Sequence, residues 1–260
     1  MSVEVVNLLT EGGIPADCDV LLINGPERDF AADEITMLRD FLSGGGQVVL
    51  AFAGQLETLE NLEGFCAEYG IRPTDGLIAD TSRCYQNNPY LFFPQVDSSV
   101  DAASALSSDA LVLWYASRGF TLTDPQRDTV TVSSFLTTSD QGYSVAADGT
   151  KTQGTYVVGA VAEEDVGLDQ NARLTVLGSD SLTNSDLTAT FPNVDNRPLF
   201  MQAITCGFAE LSGISVQPVS LATPVNTIST GGLWSLLFIF VIPGVLLICG
   251  FIRWMRRRKL

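Results

Sequence analysis

Histidine is absent from this 260-residue chain. That absence removes every Ser–His and Cys–His nucleophile system and the commonest transition-metal ligand. Lysine is nearly absent too, with Lys151 the only one before the C-terminal tail. The five cysteines (Cys18, Cys66, Cys84, Cys206 and Cys249) form no C-x-x-C pair, and neither Gly-x-Ser-x-Gly nor Gly-x-Cys-x-Gly occurs. A dithiol or zinc motif and the nucleophile elbow of hydrolase sheets are therefore without their signatures. No catalytic residue, metal site or cofactor is expected; paired carboxylates or lysine are what the composition leaves for catalysis. The first residues, MSVEVVNLLTEGG, have no basic region and no long apolar stretch, so they are not a signal peptide.

Positive charge is scarce and unevenly placed. The last eight positions hold five of the 14 basic residues (Arg253, Arg256, Arg257, Arg258 and Lys259), and no Asp or Glu follows Glu210. The rest of the chain carries nine bases against all 30 acids, a net of −21. A surface that negative repels phosphate backbones, which argues against nucleic acid as a partner. Cys249 lies inside an apolar segment, and the other four cysteines can pair or stay as buried thiols, the commoner state.

That apolar segment, Leu233–Ile252, is 20 residues without a charge, bounded by Trp234 and Trp254. It matches the hydrocarbon core of a bilayer, roughly 30 Å, and indole rings favour the interface. A soluble core helix would not be followed by R-W-M-R-R-R-K. The positive-inside rule puts the tail in the cytoplasm and the acidic part outside. With no N-terminal export signal, the expectation is that an upstream membrane helix is missing and the chain is part of a larger protein. The expected division is an acidic α/β domain over 1–213, a Pro/Ser/Thr-rich stalk over 214–232, a membrane helix over 233–252 and a basic tail over 253–260.

The soluble part reads as alternating strands and helices. Strands are expected at Val3–Leu8, Asp19–Ile23, Gln47–Ala53, Thr129–Leu136, Thr155–Ala162 and Ala172–Gly178. Helices are expected at Asp33–Leu42, stopped by Gly44-Gly45-Gly46, at Leu56–Tyr69 and at Phe200–Leu211. The three glycines follow a helix and precede a strand, the reverse of the order that cradles phosphate. The strand–helix order implies a mainly parallel, doubly wound sheet of the flavodoxin-like or glutamine-amidotransferase-like kind. Ligands in such sheets sit at the carboxyl ends of the strands. That rule selects three loops and the candidate ligand-binding residues Asn24, Gly25, Gln55, Ser179, Asp180, Ser181 and Asn184. The loop from Gly178 to Asn184 gathers hydroxyls, an amide and a carboxylate, a set suited to a polar ligand; the same residue types also cap helices and close turns. One carboxylate in that loop is too few for a cation.

The stretch IPADCDVLLINGPERDFAADEITMLRDFLSGGGQVVLAF resembles the α/β domain of GldG-type auxiliary proteins of ABC transporters, which is related to an intraflagellar-transport-like domain. The resemblance runs on through NLEGFCAEYGI, ARLTVLGSDSLTN and NRPLFMQAITCGFAE to the terminal helix with its basic end. It implies a non-enzymatic, extracytoplasmic accessory protein of an ABC-2-type, gliding-motility-like complex. Its implied partners are the ABC permease and ATPase subunits, and it would hold a partner or a polar ligand. Such proteins begin with their own membrane helix, which this chain lacks. The alternative is a membrane-anchored, carboxylate-dependent hydrolase in which Asp180 takes part.

Overall fold

Five-residue apolar runs set the middle of the fold. In the computed structural model, which describes residues 3–54, 57–167, 171–208 and 237–258, Met1–Ser215 forms one compact unit and Val216–Leu260 another. The first unit opens with α1 (Leu8–Glu11), β1 (Val20–Asn24), α2 (Ala32–Ser43), β2 (Gln47–Ala51), α3 (Glu60–Glu68) and β3 (Ile71–Asp80). Next come β4 (Cys84–Tyr85), β5 (Asn88–Phe92), β6 (Gln95–Val96), β7 (Trp114–Tyr115), β8 (Ser117–Leu122) and β9 (Val130–Thr137). The unit continues with β10 (Gly142–Val145), β11 (Lys151–Gln153), β12 (Val157–Glu164), β13 (Ala172–Leu177), α4 (Ser185–Thr190) and α5 (Asn196–Thr205).

Ten strands form one sheet in the order β1-β2-β13-β12-β8-β3-β10-β11, with β9 on β12 and β6 on β9; β4, β5 and β7 make a separate small sheet. The sheet is mixed, which corrects the expectation of a mainly parallel one. Among the described residues only β1–β2 and β2–β13 pair in parallel; the other pairings are antiparallel. The cause lies in the connections. A parallel neighbour needs a crossover of a dozen or more residues, usually helical. Helix α2 supplies one between β1 and β2, whereas no α-helix occurs between β3 and β13 among the described residues.

Strand β2 is buried along its whole length, because side chains of alternate residues enter two different cores. Val48 and Leu50 face a cluster with Leu38 and Leu42 of α2 and Leu62 and Phe65 of α3. Val49 and Ala51 face a second cluster with Trp114, Phe135 and Leu199. Burying Ile35, Leu38 and Leu42 contributes about 1.5–3 kcal/mol each. Helix α2 ends where the Gly44 N–H donates to the Asp40 carbonyl and Gly45 turns left-handed at φ 86°. At Gly46 a Cβ would fall 2.6 Å from the Phe41 ring and carbonyl.

Two local expectations differ from the structure. Residues 3–7 form no strand, and Val3 and Val5 are 87% and 97% exposed; instead the Asn7 side chain accepts from Thr10 N–H and caps α1. The third helix is shorter at its start than Leu56–Tyr69, and α5 begins four residues before Phe200 and ends at Thr205. All five cysteines are unpaired.

In the second unit a π-helical turn, Leu237–Val241, leads into an α-helix at Ile242–Arg258. Pro243 has no N–H to give, and its ring crowds the turn before it, which widens the winding there. The 21 residues Phe238–Arg258 are long and apolar enough to cross a membrane, spanning about 31 Å at the α-helical rise. The helix runs unbroken through Arg256, Arg257 and Arg258, and the Arg258 guanidinium lies 4.4 Å over the Trp254 ring. The expected stalk, residues 233–236 of the expected span and the end of the helix expected at Phe200–Leu211 lie outside the described residues.

Candidate functional site

The three parallel strands end level. Asn24 of β1 pairs in register with Ala51 of β2, and Ala51 with Leu177 of β13. The chain leaves all three at the same edge of the sheet. This is the place where an open α/β sheet offers a crevice.

Part of the expected residue set comes together there. The Thr183 hydroxyl donates to Asn24 Oδ1 at 3.1 Å and to the Asp180 carbonyl at 2.8 Å. Gly25, at φ 59°, lies against the Asp180 carboxylate, and a Cβ on it would stand 3.2 Å from Asp180 Oδ2. The Gly25 N–H donates to the Ala51 carbonyl. Asn24, Gly25 and Asp180 thus share one corner, and Thr183, a member of the same loop, belongs with them.

The other expected residues are committed elsewhere. Ser179 is buried; its hydroxyl donates to the Tyr115 carbonyl at 2.6 Å and accepts from Ser181 N–H. Asn184 Oδ1 accepts from the Asp186 and Leu187 N–H groups, both at 3.0 Å, and so caps α4. Ser181 is buried, and its hydroxyl oxygen has no partner among the described residues. Gln55 lies outside the described residues.

The crevice over β2 and β13 is filled by the chain itself. Residues 114–118 cross these strand ends. A Cβ on Gly54 would strike Ala116, and one on Gly178 would strike the Arg118 carbonyl. Ala116 adopts φ 48°, its N–H donating to the Tyr90 carbonyl. The Trp114 indole donates to Ser117 Oγ at 2.9 Å, Ser117 Oγ donates to the Arg118 carbonyl, and Arg118 N–H donates to the Gly178 carbonyl. Below this crossing the buried Arg118 guanidinium pairs with Glu63 at 2.8 Å and lies 5.2 Å over the Phe52 ring. Its Nη1 has no hydrogen-bond partner among the described residues.

Sequence reasoning missed this crossing and a second feature. Helices α2 and α3 flank a groove of about 310 Å³ lined by Ile35, Arg39, Asn61, Gly64, Phe65 and Glu68 among others. A bidentate Arg39–Glu68 bridge closes across it. No group of three or more His, Cys, Asp or Glu able to hold a metal occurs among the described residues. Three of the cysteines are poor nucleophiles. Burial, then the charges of Asp19 and Asp17, push the Cys18 thiol up, and burial does the same to Cys66 and Cys206.

The family model described as an ABC-type uncharacterized transport system matches residues 1–156. No curated protein matches the chain. Among solved structures, the mmIFT52 N-terminal domain is similar at a TM-score of 0.54 and 17% identity, covering 73% of this chain and 78% of that one. At that identity it shows the fold alone, and it agrees with the intraflagellar-transport-like resemblance. A putative thua-like protein from Bacteroides uniformis matches at a TM-score of 0.40 and 12% identity, over 72% of this chain and 68% of that one. That likeness is too low to carry any argument.

Proposed function

The chain belongs to the family described as an ABC-type uncharacterized transport system, and from that membership we propose that it is a non-enzymatic accessory component beside an ABC permease and its ATPase. The family match over residues 1–156 carries the reading. The C-terminal helix supports it by supplying a candidate anchor. The proposed layout keeps the division at 213, 232 and 252, with the acidic domain outside the membrane and the Arg-rich end inside, as the charge asymmetry of the chain favours.

The domain's task in this reading is to hold a partner subunit or a polar ligand. For a ligand the corner of Asn24, Gly25 and Asp180 is the proposed place, because the crossing at residues 114–118 takes up the neighbouring strand ends. Purification of the tagged chain from native membranes in mild detergent tests the accessory role. A multi-span permease and an ATPase should come with it in fixed proportion; recovery of the chain alone at native expression overturns the proposal.

A further inference from the structure

Strand β1 is the end strand of the ten-stranded sheet, hydrogen-bonded to β2 on one side only. The Gly25 N–H donates to β2. Backbone direction alternates along a strand, so Ile23 and Leu21 also face β2, while Val20, Leu22 and Asn24 turn their N–H and C=O groups to the open side. Among the described residues no backbone group of Leu22 or Asn24 is bonded on that side, while the Val20 N–H is met by the Cys18 sulfur. Protein sheets guard such edges with Lys, Pro, a bulge or a covering element. Strand β1 reads Val-Leu-Leu-Ile-Asn, pairs without a bulge, and leaves Leu22 41% exposed.

The charge around this edge decides what fits. Residues 1–27 contain Glu4, Glu11, Asp17, Asp19 and Glu27 and no Lys or Arg. Asp17 and Asp19 are exposed just before the strand, Glu27 is exposed just after it, and the Asp180 carboxylate lies against Gly25. A second copy paired antiparallel about Leu22 would set Asp19 opposite Gly25 and Asp17 opposite Glu27, like charge near like at both ends. A segment with basic ends meets opposite charge at both. We propose that the free edge of β1 receives an extended segment of a partner polypeptide, apolar at its centre and basic at its ends, as an eleventh strand. Main-chain hydrogen bonds hold such a segment and the flanking charges select it. The inference rests on the accessory reading for the partner's identity, though not for the chemistry of the edge.

The test uses the full chain in neutral detergent. The probe is a fluorescent peptide of alternating valine and threonine with two lysines at each end; a control peptide carries glutamates instead. The lysine peptide should bind, and the control about tenfold more weakly or worse, as several opposed charges require. Binding should slow hydrogen exchange at the Leu22 and Asn24 amides. Leu22→Pro removes one outward N–H, a change tolerated on an edge facing solvent, and should abolish binding, whereas Leu22→Thr keeps that N–H and should retain it. Equal binding of both peptides, no binding at all, or no added protection at Leu22 and Asn24 overturns the inference even where Leu22→Pro fails to fold. Peptide capture by a chain that brings down no transport subunit sinks the accessory reading and leaves the edge standing; co-purification without peptide capture does the reverse.

Discussion

The Thr183 hydroxyl donates to the Asn24 side-chain oxygen across 3.1 Å and so joins positions 159 residues apart in the chain. That bond ties the loop after β13 to the end of β1, beside the point where Gly25 meets Asp180. The proposed ligand corner keeps its shape only while these two loops keep their spacing.

Gly25→Ala should therefore cost more than loss of the tie itself. A left-handed backbone penalises a side chain by roughly 1–2 kcal/mol, and the new methyl would also press on the Asp180 carboxylate. Thr183→Val removes the one hydroxyl proton that Asn24 Oδ1 and the Asp180 carbonyl share and should cost about 0.5–1.5 kcal/mol. Urea denaturation of both variants checks the order. A Gly25→Ala variant as stable as the parent would show that the turn is not held as described.

The buried Arg118 guanidinium pairs with the half-buried Glu63 carboxylate beneath the crossing segment. Removing Glu63 leaves the buried guanidinium alone, at a cost of up to about 3–5 kcal/mol. Glu63→Leu is expected in that range and Arg118→Met, which leaves a carboxylate that water reaches, below it; the double change of Arg118→Met with Glu63→Leu should fall well below the sum of the two singles. Equilibrium unfolding of the three variants measures the coupling, and strictly additive losses would refute a shared role.

Much of this corner was legible before the structure, for physical reasons that particular residues show. Strand β2 reads as five residues with no solvent-facing position, which only a central strand covered on both faces allows. With α2 leading from β1 into it, the carboxyl ends of β1, β2 and β13 became the expected site, and the structure sets them level. Beyond β13 the strands expected at Thr129–Leu136 and Thr155–Ala162 correspond to β9 and β12, but β3, β8, β10 and β11 were hidden. Strand β3 contains Pro73 and Gly76, and its register against β8 shifts between Pro73 and Leu77; breakers inside a ten-residue strand erase its pattern. The crossing at Trp114–Arg118 depends on contacts with Gly54, Gly178 and Ser179, which no local periodicity records. Val3–Leu8 shows the opposite failure, since a β-branched run stays out of the sheet when no strand edge meets it.

Topology follows from where the charges lie. A green fluorescent protein fused after Leu260 should glow and an alkaline phosphatase fused there should stay inactive, because the proposed tail is cytoplasmic. Fusions at the N-terminus, behind an added export helix, should behave oppositely. The reverse pattern would place the acidic domain inside and remove the extracytoplasmic part of the proposed function.

Acid should weaken the domain through Glu164. Arg127 donates to its carboxylate at 2.6 and 2.8 Å and Thr129 adds a third bond at 3.0 Å. These bonds, the Arg127 pair first, hold its carboxyl below the ordinary value of 4.5. A folded-state value below the unfolded one means that the folded form resists protonation. The stabilisation is complete above about pH 4.5 and drains away as the pH falls through the lower folded value. Unfolding free energy measured from pH 6 downward should thus decline below about pH 4.5, and Glu164→Gln should flatten part of that slope. A remainder should persist, since Asp97 and Asp148 are also held low by bonds from Ser99 and Thr150. An unchanged slope in Glu164→Gln would mean that the Arg127 pair is not formed in solution.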